Sequence, residues 1–235
     1  MSEVQMTTGM TVKFIKASAE DKDVILAAQA SIHGENDPRY SEVDPEKLIN
    51  ALMSQRHGSP FEHNSFTFFA KVPIFVAREW LRTRMASYNE MSGRYSELLP
   101  EFWTPPQDRK MINVGSDMRP QMAPGSPLQR ELKKAEDLHV AEAAWASYRK
   151  QLEHGISKEL ARTVLPVSVY TQFYWTLNAR SLMHFLSLRI EDYEATYVSH
   201  PQKEIEVAAK QVEKEFKRLM PLTHAAFVKN GRVAP

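Results

Sequence analysis

The chain runs to 235 residues, with 30 Lys+Arg against 29 Asp+Glu, 43% hydrophobic residues and no cysteine. That length holds one sizeable domain, and the composition excludes a disordered or collagen-like chain. A net charge of +1 gives no support for a bulk nucleic-acid binder, and the missing cysteines exclude a disulfide framework, a thiolate zinc site and a thiol nucleophile. The first twenty residues lack the apolar core of a signal peptide. The longest strongly apolar run, Val72 to Ala77, is too short to span a bilayer. The expectation is a cytoplasmic protein with neither a membrane nor a nucleic acid as partner.

Met10 to Ala17 alternates as a short strand. Asp21 to Ile32 and Pro45 to Arg56 read as helices, the second with Asp44 as N-cap and Pro45 at its first position. Asn64 to Val72 is aromatic and β-rich, a strand. Pro73 opens a helix with Ile74, Ala77 and Leu81 at i, i+3 and i+7. Trp103 to Pro127, punctuated by PPQ and MRPQMAPGSP, reads as an irregular connection. Leu128, Leu132, Ala135, Leu138, Ala141, Trp145, Tyr148 and Leu152 step by three or four, which predicts a long amphipathic helix ending near Gly155. Ser157 caps a short helix running to Leu165 and stopped by Pro166. Val167 to Thr176 is β-rich, and Asn178 to Arg189 and Glu204 to Met220 are two more helices. The fold class is α+β, helix-rich, in one domain over residues 1–235 with the Pro-rich connection at 103–127. No βαβα alternation and no GxGxxG argue for a Rossmann sheet.

The chemistry concentrates in Arg78 to Tyr95, REWLRTRMASYNEMSGRY, with four arginines, two glutamates, two serines and an asparagine in eighteen residues. Arg78 and Arg82 are one helical turn apart and share a face. Ser92, Gly93 and Arg94 offer a hydroxyl, an unhindered N–H and a guanidinium to an anion, and phosphate suits the planar fork of arginine. A solvated charged helix followed by a turn fits the same composition. The apolar flanks, PIFVA and LLPEFW, weigh towards arginines held between core segments, which need a partner to offset desolvation. His33, His139, His154 and His224 read as structural, and scattered histidines without cysteine give no metal site.

Arg82-x-Arg84-x7-Ser92, inside the string SYNEMSGRY, resembles the signature of the flavin-dependent thymidylate synthases, the ThyX family. Further matches lie in order along the chain: His57-x-x-Pro60-Phe61-Glu62-His63, Phe66-x-Phe68, Pro73 to Arg78, Ala161-Arg162-x-Val164-Leu165-Pro166, and Asn178 to Arg189. The resemblance implies a ThyX-like fold with a small antiparallel sheet, and a homotetramer whose active sites are shared between subunits. It implies conversion of dUMP to dTMP, with methylenetetrahydrofolate as carbon donor and FAD, reduced by NADPH, as hydride donor. By motif position, His57, Ser59, Arg82, Thr83, Arg84, Glu90, Asn178, Ala179, Arg180 and His184 fall on FAD-contacting positions. Glu79, Trp80, Leu81, Arg82, Glu90, Met91, Ser92, Gly93, Arg94, Arg162 and Arg189 fall on dUMP-contacting ones, with Arg189 as the catalytic residue that stabilises the ionised N3 of the uracil.

Uracil C5 becomes nucleophilic through thiolate addition at C6 or through polarisation of the ring. A chain without cysteine has only the second route, and one charge-assisted hydrogen bond supplies roughly 1.5–3 kcal/mol of it. Arg189 is otherwise simply a cation at a helix C-terminus. Arg180 and His184 share a face of their helix; Arg189, nine residues from Arg180 and about 900° around the axis, lies on the opposite side. Two departures stand out. Thr83 occupies the place of the usual histidine, and Ile190 to Ser199 intervenes before His200, read as an extended loop or an extra helical turn, with altered folate or partner access as the functional alternative. Competing readings are a relative with altered one-carbon chemistry on dUMP and a nucleotide-binding scaffold without flavin turnover.

Overall fold

The computed structural model describes residues 4–33, 44–116 and 120–235. Their strands and helices are, in chain order, β1 (Gln5–Thr7), β2 (Thr11–Ser18), α1 (Asp21–His33), α2 (Pro45–Ser54), β3 (Ser65–Pro73), α3 (Ile74–Trp80), β4 (Ser87–Glu90), β5 (Glu101–Trp103), β6 (Ile112–Asn113), β7 (Met122–Ala123), α4 (Pro127–Glu153), α5 (Lys158–Ala161), β8 (Tyr170–Leu177), α6 (Ala179–Arg189), α7 (Lys203–Leu219) and α8 (Pro221–Lys229). Short 3₁₀ turns cover Ser59–Glu62 and Arg162–Val164. Two compact units result. One comprises Met1–Met10, Val72–Ala77 and Met91–Thr171; the other Thr11–Lys71, Arg78–Glu90 and Gln172–Pro235.

The second unit is built on a four-stranded sheet of order β2-β3-β8-β4. β2 runs antiparallel to β3 from Thr11↔Lys71 to Ser18↔Ser65, with a bulge between Phe14 and Lys16, and β4 runs antiparallel to β8 from Ser87↔Thr176 to Glu90↔Phe173. Period-two patterning puts Phe66, Phe68 and Ala70 of β3 and Phe173, Trp175 and Leu177 of β8 on the buried face. Aromatic rings fill it: Trp80, at the end of α3, packs 5.2 Å from Trp175, 5.4 Å from Phe173 and 5.3 Å from Phe185 of α6. α7 closes the core through Ile205, Ala208, Ala209, Val212 and Phe216, the one-face spacing of an amphipathic helix.

In the other unit, β1 pairs in parallel with β5, and β6 with β7 antiparallel. Phe102, Ala141, Trp145, Tyr148, Ala161 and Val169 form its core. Ser126 and Gln129 make a reciprocal capping box that starts α4.

Several expectations change. α4 forms the expected long helix, with Ala141, Trp145 and Tyr148 buried and Leu128 and Leu132 74% and 58% exposed. α3 stops at Trp80, so Leu81 lies beyond it, exposed, and Arg78 and Arg82 do not share a helical face. Ser157 makes no side-chain cap, and the expected helix to Leu165 is one turn of α-helix followed by a 3₁₀ turn. Of the 103–127 connection, residues 117–119 lie outside the described residues and Pro127 already begins α4; the rest is irregular apart from the end of β5, the two-residue pair β6 and β7 and a single bridge residue at Ser116. β1, β4, β5 and α8 were not expected. No helix among the described residues is long and apolar enough to cross a membrane.

Candidate active site

Asp44 caps α2 as expected, its Oδ1 accepting from the N–H groups of Glu46 and Lys47. The helix delivers the chain into the segment His57-Gly58-Ser59, where His57 and Ser59 are exposed. Asn178 caps α6, accepting from Ser181 N at 2.9 Å, and the Ala179 N–H donates to Asn64 Oδ1 at 2.7 Å. This capping sends Arg180 outwards from the first turn. Its Nη1 meets Glu62 Oε1 at 2.5 Å, and its Nε donates to Pro235 O at 2.6 Å. A Cβ on Gly58 would lie 2.6 Å from the Arg180 Cζ, so only glycine lets the guanidinium settle on this backbone. His184, one turn further, is exposed.

Arg82 and Arg84 project from the turn after α3, both exposed and neither hydrogen-bonded nor ion-paired among the described residues. Thr83 between them is 6% exposed, its N–H donating to Trp80 O at 3.0 Å. The Tyr88 hydroxyl locks the turn by donating to Thr83 O at 2.8 Å and Trp80 O at 3.1 Å, and burial pushes its pKa up to about 12.

At the other end of α6, the Arg189 side chain is 16% exposed. Its Nη1 lies 3.2 Å from Glu79 Oε2, and its Nη2 donates to Glu79 O at 3.0 Å. Its Nε is buried without a hydrogen-bond partner. Arg180 and Arg189 thus engage different groups, in keeping with their opposite sides of one helix. The segment 190–199 is an extended loop, its Thr196 N–H donating to Gly231 O and its Ser199 hydroxyl to Leu188 O.

In the unit containing Met91–Thr171, Ser92 to Ser96 form a turn in which Ser92 Oγ accepts from Arg94 N. The Arg94 guanidinium makes a two-pronged contact with Glu159, Nε to Oε1 at 3.1 Å and Nη2 to Oε2 at 3.2 Å. Arg162 lies across Gly93, where a Cβ would come within 3.0 Å of its Cδ. Arg162 is half-buried, and its side chain makes no hydrogen bond or ion pair among the described residues.

The structure therefore gathers three groups: Arg180 with Gly58 and Glu62, Arg189 with Glu79, and Gly93, Arg94 and Arg162 with Glu159. Two positions cannot act through their side chains: Trp80 and Ala179 are fully buried in the core, leaving only their backbone atoms to a ligand. The desolvation argument for the arginines also fails, since Arg78, Arg82, Arg84 and Arg94 are all exposed. The apolar flanks on either side fold into cores, while Arg78 sits on the exposed side of α3 and Arg82, Arg84 and Arg94 lie in the connections beyond it. Glu90 ends β4 opposite Phe173. Glu159 escaped the sequence reading, which matched Glu62 and Tyr88 by motif without giving either a role; a carboxylate three residues before Arg162 was the only local sign of the first. Among the structural histidines, His224 lies 3.1 Å from Glu213 and packs on Phe216, and His154 bonds Lys150 O. The side chain of His33 lies outside the described residues. No group of three or more metal-ligating side chains occurs among the described residues.

The described residues thus set out these arginines in three groups, in an α+β chain without a thiol. Residues 13–222 match the family model described as "Thymidylate synthase complementing protein". The chain is 48% identical to a flavin-dependent thymidylate synthase of Streptomyces coelicolor, over 99% of this chain and 96% of the relative. It is 44% identical to one from Tropheryma whipplei, over 96% and 95%. Its fold matches the crystal structure of the UMP/dUMP methylase PolB from Streptomyces cacaoi bound with 5-Br UMP, with a TM-score of 0.92 and 41% identity over 99% of this chain and 100% of that one. The chain belongs to the flavin-dependent thymidylate synthase family.

Proposed function

We propose that this chain is a flavin-dependent thymidylate synthase that converts dUMP to dTMP, taking the carbon from methylenetetrahydrofolate and the hydride from FAD reduced by NADPH. The observation that carries the reading is Arg189, a largely buried guanidinium tethered to Glu79 with its Nε–H unpaired, in a chain without cysteine. A buried donor without a partner is costly unless a ligand satisfies it. The pyrimidine N3–O4 edge is such a ligand, and a cation there stabilises the electron-rich ring before C5 attacks. Glu79 fixes the guanidinium plane through both its carboxylate and its carbonyl. Arg94 and Arg162 hold the 5′-phosphate, with Glu159 surrendering the fork of Arg94 on binding. Ser92 positions through its hydroxyl, and Met91 and Leu81 fall on the family's dUMP-contacting positions.

The residues on the flavin-contacting positions fit an anionic dinucleotide: a glycine cradle under Arg180 and two exposed, unpaired guanidiniums at Arg82 and Arg84 suit a diphosphate. FAD, when bound, supplies the hydride. His57, Ser59, His184 and Glu90 orient it. The chain acts as one catalytic domain in a cytoplasmic homotetramer with shared active sites. The likeness to PolB, whose structure holds 5-Br UMP, supports UMP as a second acceptor.

The test is product analysis with dUMP or UMP, methylenetetrahydrofolate, NADPH and FAD, alongside complementation of a thymidine-requiring strain. The expected result is dTMP formation and growth from the wild type, and neither from Arg189→Ala. Flavin that NADPH fails to reduce, or a dUMP product other than dTMP, refutes the reading.

A further inference from the structure

Among the described residues, two other than glycine hold a positive φ: Arg56 at 62° and Arg232 at 55°. Arg56 follows the C-cap of α2. Its N–H reaches Met53 O at 3.3 Å and the His57 N–H reaches Leu52 O at 2.9 Å, the paired closure that helices ordinarily make with glycine at this position. A side chain in the left-handed region is disfavoured, and such strain persists where something else holds it. Here the guanidinium does. Arg56 Nη1 donates to Val233 O at 3.0 Å and Ala234 O at 3.2 Å. The next carbonyl, that of Pro235, accepts from Arg180 Nε at 2.6 Å. Three successive carbonyls are thus divided between two arginines, and Pro235 is buried between them and the rest of its unit. With Nε on Pro235 and Nη1 on Glu62, the guanidinium of Arg180 is fixed in its plane and its Nη2 corner is left for a ligand.

We propose that Arg56 and the segment Val233–Pro235 are a positioning device for Arg180: Arg56 seats the segment, and the segment sets the guanidinium that receives the flavin diphosphate. The inference rests on the reading of Arg180 as a flavin residue. The strain at Arg56 is the signature of the device, because a glycine there would close α2 more easily but could not grip the carbonyls.

Arg56→Gly separates the two roles. It relieves the backbone and removes the grip. The expected result is a melting temperature equal to or above that of the wild type, an FAD Kd raised about tenfold in titrations of the apoprotein, and a dUMP Kd within about twofold of the wild type. A stabilised protein with wild-type FAD affinity overturns the proposal, since a helix cap alone predicts that outcome. Arg56→Lys, whose ammonium still donates to both carbonyls, recovers part of the affinity; no recovery counts against the device. Arg180→Ala distinguishes the levels. If it binds FAD as the wild type does, the flavin-site reading fails. If it weakens FAD while Arg56→Gly does not, the positioning role alone fails.

Discussion

Replacing Arg189 by methionine keeps length and apolar bulk while removing every donor. In the ligand-free protein the buried, unpaired Nε costs about 1–3 kcal/mol, which methionine recovers. Methionine forfeits the charge-assisted hydrogen bond from Nη2 to Glu79 O, roughly 1.5–3 kcal/mol. It also forfeits an ion pair to a carboxylate that is 42% exposed, about 0–1 kcal/mol. Central values leave about 0.8 kcal/mol against methionine, which for a chain of this size lowers the melting temperature by about 2–3 °C. dUMP at about one hundred times its Kd protects the wild type by about 2.7 kcal/mol, or roughly 5–10 °C, and Arg189→Met should lose most of that protection. Thermal melts with and without dUMP read both numbers. A variant melting well below the wild type without ligand would make Arg189 a structural residue. Full protection by dUMP would show that the nucleotide does not depend on it.

Glu213 lies within 3.1 Å of His224 Nε2 and 2.8 Å of Arg232 Nη2. Burial pushes its pKa up, but the hydrogen bond with His224 and the charge of Arg232 prevail and hold it below the usual 4.5. A carboxylate lowered in the folded state stabilises above its unfolded pKa and loses that contribution as pH falls through the folded one. Melting temperatures followed down through about pH 4 should therefore fall less steeply for Glu213→Gln than for the wild type, and equal slopes would refute this. Gly93→Ala puts a methyl 3.0 Å from Arg162 Cδ; the arginine gives way, and calorimetry should show dUMP Kd raised about tenfold with stability changed by less than about 1 kcal/mol. Thr83→His, although it installs the family's usual residue, forces an imidazole into a site 6% exposed, and a thermal melt should show a loss of about 1–3 kcal/mol.

Local chemistry was legible and distant chemistry was not. Asp44 and Asn178 announce helix starts because a cap is a property of three or four neighbouring residues. The end of α3 does not announce itself. Trp80 and Leu81 continue an apolar period, and what stops the helix is Tyr88, reaching back to the Trp80 and Thr83 carbonyls, with the Trp80 ring drawn among Trp175, Phe173 and Phe185. β1 and β5 are three residues each and pair in parallel across most of a hundred positions, too short to show a period. The same divide runs through the site. The arginines were found by motif, but Glu159 is 65 residues from Arg94 and Glu62 is 118 from Arg180, and no spacing rule links them.

The aromatic cluster under the sheet has an optical consequence. Trp80 sits two positions before Arg82, and its indole lies 5.2 Å from that of Trp175. Both fluorophores are shielded from water, and indole emission overlaps isoalloxazine absorption. Arrival of the prosthetic group should quench ultraviolet-excited light from this pair, so the protein carries an intrinsic gauge of its own loading that needs no dye.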